Sequence, residues 1–211
     1  MQDAKNTAGA MLNIAVFASH SGSNLQAIID ACSSGAMKAN VCVVLSNNSG
    51  SRALQRAADA GIDSFHVSPK ALGSDEVADA EILKILTSHN TDIIFLAGYL
   101  KRIGESILNK YHNRVFNIHP ALLPKYGGRG MFGMNVHKAV IAANEPLSGI
   151  TIHRASQEYD EGEVVAQTTI AVSADDTAET LAQKILAREH TFIVEVINQI
   201  IDGSILLGAP K

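Results

Sequence analysis

The chain has 211 residues, enough to bury one substantial core. Hydrophobic residues make up 46% and charged residues 18%, which excludes a disordered chain. A net charge of −4 needs no broad basic face; this argues against duplex nucleic acid but leaves room for a small anion on a local loop.

The first residues, MQDAKNTAGA, lack the apolar core of a secretory signal. Residues 1–11 read as a disordered leader, and Met11 opens a sequence that makes sense as a start by itself. NIAVFA (13–18) reads as a buried strand, followed by a polar loop and a helix, NLQAIIDACSSG, ending near Gly35. VCVVLS (41–46) is a strand, SRALQRAADAG a helix closed by Gly61, and DSFHV (63–67) a short strand. DEVADAEILKILTSHN (75–90) has helical apolar spacing; DIIFLAG (92–98) and RVFNI (114–118) are strands, and VHKAVIAAN (136–144) is a helix. GITIHRA (149–155) and EVVAQTTIAV (163–172) are longer strands joined through an acidic turn, QEYDEGE, and a final helix runs over about 180–202. The alternation predicts an α/β fold: a mostly parallel sheet with helices on both faces and an antiparallel extension near the C-terminus. Residues 12–208 are expected to form a single domain. No apolar run reaches the ~18 residues of a membrane span. Cys32 falls on a helix and Cys42 on a strand, both in apolar company, as buried thiols in a reducing compartment do.

Ligands of open α/β sheets bind beyond the carboxyl ends of the strands. The first strand ends in SHSGSNLQ (19–26), where Gly22 and Ser23 lead into a helix and Asn24 lies near its N-cap. Backbone N–H groups at a helix start suit a phosphate, and Gly22 lets one approach closely. The loop is neither a Walker A nor a GxGxxG sequence, and it also fits an ordinary turn before a capped helix. In FNIHPALLPKYGG (116–128), Asn117 and His119 are two apart, so their side chains share a face of the strand; Pro120 holds His119 extended. Such a pair of donors suits a developing oxyanion, although a strand-end histidine also serves as a purely structural residue. Asp160, in YDEGE, sits in a turn of a kind that is as a rule solvated. If the turn folds over His119, Asp160 favours imidazolium, raises the histidine's pKa and makes a general acid. His153 reads as a structural residue of its strand. No histidine spacing suits a metal. Lys101 and Arg102, after LAGYL, are either solvated or placed to meet an anion.

Together, NIAVFASHSGSNLQAIID, LAGYLKRI, FNIHPALLPKY and ITIHRASQEYDEGEVVAQ followed by AREH resemble the folate-dependent phosphoribosylglycinamide formyltransferase family. The resemblance runs from about Leu12 to the last helix. It implies a Rossmann-like sheet of seven strands and transfer of a formyl group from 10-formyltetrahydrofolate to the amine of glycinamide ribonucleotide, in the cytoplasm, without a metal. Gly22, Ser23 and Asn24 would hold the ribose 5-phosphate and Glu189 the glycinamide or ribose portion. Lys101, Arg102 and Ile103 would form the strip that docks the pterin, mainly through backbone groups, together with Asn117. Asn117, His119 and Asp160 would be the catalytic trio. The partners implied are these small molecules, with no nucleic acid and no membrane, and the chain would be a monomer or a homodimer. Three positions depart from the family pattern: residues 127–135 are longer than usual, Asp75 stands where many relatives place an arginine near the substrate, and Leu186 where a glutamine often sits. Formyltetrahydrofolate deformylase resembles the same core but normally has a regulatory domain before it, where about a dozen residues precede the first strand here; methionyl-tRNA formyltransferase adds a C-terminal domain. A silent ligand-binding module is the remaining alternative, and it would not need the trio.

Overall fold

The computed structural model describes residues 11–208; the rest of the expected leader lies outside them. Seven strands form one sheet in the order β3-β2-β1-β4-β5-β6-β7. β1 (Leu12–Phe17), β2 (Ala39–Ser46), β3 (Ser64–His66), β4 (Ile93–Leu96) and β5 (Val115–His119) run parallel. β6 (Leu147–Arg154) and β7 (Val164–Ala171) are antiparallel, as the sequence pattern predicts. The central strands are apolar without alternation because both faces are covered: Ile14, Val16, Ile93, Phe95 and Phe116 pack into one core, and Ala15, Phe17, Ile94 and Val115 into the other.

The helices are α1 (Ser23–Ser33), α2 (Arg52–Asp59), α3 (Pro69–Leu72), α4 (Asp75–Ser88), α5 (Glu105–Lys110), α6 (Met134–Ala142) and α7 (Ala178–Ile201). The pattern gave no sign of α3 and α5. They are four and six residues long, less than two turns, and carry too few apolar positions to show a period. α7 is 24 residues long, starts in a reciprocal cap between Thr177 and Thr180, and buries Leu181, Ile185, Phe192, Ile193 and Val196. It packs beside α1, which brings Glu189 to the first turn of that helix. None of the described helices is long and apolar enough to cross a membrane.

Between β4 and β1 on one side and β6 on the other, the parallel sheet changes direction at β5. The register sets Asn117 opposite His153 and His119 opposite Thr151. Cross-strand partners share a face, so four polar side chains from two strands lie together on one face of the sheet.

Candidate active site

The loop after β1 is held from beneath. Ala53 N–H (3.1 Å) and Ser51 Oγ (2.9 Å) donate to the His20 carbonyl, and Arg56 Nε to that of Ser21 (2.8 Å). Gly22 then turns at φ 66°, where a Cβ would lie 2.8 Å from that of Ala53, so glycine is needed for both conformation and space. No side chain caps α1, and Gly22, Ser23 and Asn24 at its start line a cavity of about 540 Å³. The N-cap is Gly22. Asn24, expected near the cap, lies inside the first turn, 8% exposed, and donates from Nδ2 to Glu189 Oε2 (3.0 Å). Its Oδ1 is buried with no partner among the described residues. Burial pushes the Glu189 carboxyl up to about 7, and the Asn24 bond only partly opposes this.

On the opposite wall, the β6–β7 turn folds back and delivers Asp160 at φ 60°, its side chain 9% exposed. Gly162 makes the return possible, because a Cβ there would overlap the Arg154 carbonyl oxygen. Asn117 Nδ2 donates to Asp160 Oδ1 (3.3 Å) and to His153 Nε2 (2.9 Å). His153 Nδ1 faces the Arg154 carbonyl at 2.9 Å, and a carbonyl only accepts, so the proton sits on Nδ1 and Nε2 is free to accept. By the same reasoning His119 Nε2, 2.8 Å from the Tyr126 carbonyl, carries a proton. Its Nδ1 lies 3.5 Å from Asp160 Oδ2. Gly128 N–H donates to that same carboxylate oxygen (2.9 Å).

Burial pushes Asp160 up, but His153, the charge at His119 and the Gly128 N–H outweigh it and hold the carboxyl below its ordinary value. His119 departs from expectation. Asp160 does raise its pKa, as does the Tyr126 carbonyl, yet burial at 4% exposure is the larger effect and the net direction is down. Burial thus favours the neutral imidazole in this state, and a second proton, on Nδ1, would complete an ion pair with Asp160.

The segment 120–126 is fixed by Thr151 and Gln167. Leu123 N–H donates to Thr151 Oγ1 (3.0 Å), Thr151 Oγ1 to the Ala121 carbonyl (2.7 Å) and Gln167 Nε2 to the Leu123 carbonyl (3.0 Å). Tyr126 adopts φ 57°, which aims its carbonyl at His119. A second cleft, of about 40 Å³, lies between Lys101, Arg102 and Ile103 and the 155–160 turn. The turn is clamped there: Arg102 pairs with Glu158 and lies over the Tyr159 ring, 5.3 Å from its centre.

Asn117, His119 and Asp160 thus converge, and Gly22, Ser23, Asn24 and Glu189 line the same cavity as they do. Lys101, Arg102 and Ile103 line the second cleft, to which Asn117 also belongs. Sequence reasoning missed His153, read as structural, which holds the Asn117 amide. It also missed His137 on α6, 5% exposed, whose Nδ1 has no partner among the described residues and whose ring is kept below its ordinary pKa by burial and by His119. The paired strings NIH (117–119) and TIH (151–153) carried a signal for His153, but only the register reveals it. No group of three or more metal-binding side chains occurs among the described residues.

Residues 12–197 match the formyl transferase family. A chloroplastic phosphoribosylglycinamide formyltransferase of Arabidopsis thaliana is 39% identical over 194 residues, 91% of this chain and 66% of that protein. The phosphoribosylglycinamide formyltransferase of Escherichia coli K12 is 33% identical, over 91% of this chain and 88% of its own. A crystal structure of glycinamide ribonucleotide transformylase 1 from Symbiobacterium toebii superposes with a TM-score of 0.87 at 34% identity, covering 96% of this chain and 93% of that one. The chain spans just under two thirds of the plant relative's length.

Two outcomes are expected from this geometry. Gly162→Ala should displace the Asp160 turn, so the His119 pKa followed by NMR should fall further; an unchanged titration would contradict the coupling. Glu189 has a raised pKa, so its contribution to stability is full below about pH 4.5 and is lost as pH rises through about 7. Glu189→Gln should remove that slope, worth about 3 kcal/mol across the interval, and parallel unfolding profiles from pH 5 to 8 would refute it.

Proposed function

The chain belongs to the formyl transferase family, and on that premise we propose that it transfers the formyl group of 10-formyltetrahydrofolate to the amine of glycinamide ribonucleotide, giving formylglycinamide ribonucleotide and tetrahydrofolate in purine synthesis in the cytoplasm. The observation that carries the reading is one cavity with two ends. The uncapped start of α1 suits a phosphate, and the Asn117–His119–Asp160 cluster suits an acyl transfer. Its volume of about 540 Å³ lies within the ordinary range of small-molecule sites.

The phosphate takes the first N–H groups of α1. Asn24 Oδ1 and the Glu189 carboxyl meet the hydroxyls or amide of the ribonucleotide, which gives the buried, unpartnered Oδ1 its donor. The pterin seats against residues 101–103. A cleft of about 40 Å³ has room for about a water or two, so the 155–160 turn lifts to admit it. Lys101, Arg102, Ile103, Asn117 and Tyr159 all line that cleft and would surround the ring once the turn has lifted.

The amine lone pair attacks the formyl carbon and the carbonyl π pair moves to oxygen. Asn117 turns an N–H from Asp160 to this oxyanion, with His153 retaining the other. A new negative charge beside His119 adds to that of Asp160, and the two together favour a proton on Nδ1 against the cost of burial. The proton lost by the attacking nitrogen passes through the Asp160–His119 pair to the folate nitrogen, whose bond to the formyl carbon then breaks. Much of the acceleration comes from holding both substrates in line and from donors fixed in advance.

The test is a spectrophotometric assay with 10-formyltetrahydrofolate, with and without glycinamide ribonucleotide. Folate product only with the ribonucleotide supports transfer; equal product without it points to a deformylase, and none in either case to a binding module. In the same assay His119→Ala should lower kcat by about 10²–10⁴, with ribonucleotide KM little changed, and an unaltered kcat would remove His119 from the mechanism.

A further inference from the structure

The 127–133 segment forms a built turn. Met131 N–H donates to the Gly128 carbonyl (3.0 Å), and Gly130 takes φ 89° at the third position, as a type II turn requires. The turn is pinned at both ends: Gly128 N–H to Asp160 (2.9 Å) and Asn135 Nδ2 to the Gly130 carbonyl (3.1 Å). Arg129 occupies its second position and lines the large cavity. Among the described residues it is the only lysine or arginine that does so, and it forms no ion pair with any of them. Asp75, where the family resemblance leads to the expectation of an arginine, opens α4 and does not line the cavity.

The cations of the site are therefore divided. Lys101 and Arg102 belong to the second cleft, and Arg102 is already paired with Glu158. Arg129 shares its space with the α1 loop and with Glu189 of α7. A phosphate monoester carries more negative charge than one helix start offsets, and a guanidinium matches its oxygens two at a time.

From this division of charge we propose that Arg129 is a substrate-specificity residue that binds the phosphate of the ribonucleotide, a role that rests on the function proposed above. The turn brings the cation to the cavity rim without placing any buried charge there in the free protein, since Arg129 is exposed. Its anchor on Asp160 ties the phosphate contact to the reacting end of the same cavity.

Steady-state kinetics on the full chain test this with R129A and R129K. R129A is expected to raise the KM for glycinamide ribonucleotide about tenfold or more, the loss of one charge-assisted contact, while the KM for 10-formyltetrahydrofolate stays within about twofold. R129K should recover part of the loss, and the ribonucleotide KM of R129A should depend less on salt. A rise in the folate KM alone, or no change in either, overturns the proposal. Inorganic phosphate titrated by NMR against wild type and R129A supplies a readout that needs no turnover. Weaker binding to the variant supports the contact even if the transfer assay fails, and equal binding overturns it even if the assay succeeds. Circular dichroism of the variants confirms that they fold.

Discussion

A carboxylate stripped of most of its water has to find donors within the protein, and Asp160 finds them on two separate segments. The Asn117 amide comes from β5 and the Gly128 N–H from the loop before α6, while the rings of His119 and His153 approach the carboxylate from β5 and β6. Each segment reaches it by a conformation that only certain residues allow. Gly162 gives the turn its close return to β6, Tyr126 bends the chain at positive φ behind His119, and the β5–β6 register aligns Asn117 with His153. The buried anion thus acts as the point to which the antiparallel end of the sheet and the loop before α6 are both tied. An unpaired carboxylate at this depth would be costly enough to expel the turn, so the order of these segments is a condition for burying it.

The same cluster sets two opposed demands on His119. Burial favours the neutral ring, and the adjacent carboxylate favours the charged one. With burial ahead by itself, the balance leaves the ring responsive to any further negative charge, as the proposed transfer would require of a residue that takes and returns a proton. Glu189 shows the complementary case at the other end of the cavity, a carboxyl raised by burial to where it is readily protonated.

Most of the architecture was legible in the chain because β1, β4 and β5 are short apolar runs between amphipathic helices, and the last two strands differ in length and composition. α3 and α5 were not, being too short to show a period. In the site, Asn117, His119 and Asp160 could be singled out from spacing and resemblance, since two sit on one strand face and the third in an isolated acidic turn. His153 and His137 could not. The first depends on a cross-strand register and the second on how α6 docks, and neither is a property of a local string. The direction of the His119 pKa was likewise hidden, because the sequence shows the neighbouring charge but not the depth of burial.

The bond from Gly128 to Asp160 is made by the main chain. A main-chain donor survives almost any change of side chain around it, proline excepted. The loop can therefore exchange its side chains over evolutionary time while still completing the hydrogen bonds of Asp160. If the proposed roles hold, recognition and chemistry meet in one short turn yet are inherited separately, which leaves this part of the fold free to be retuned without rebuilding what it supports.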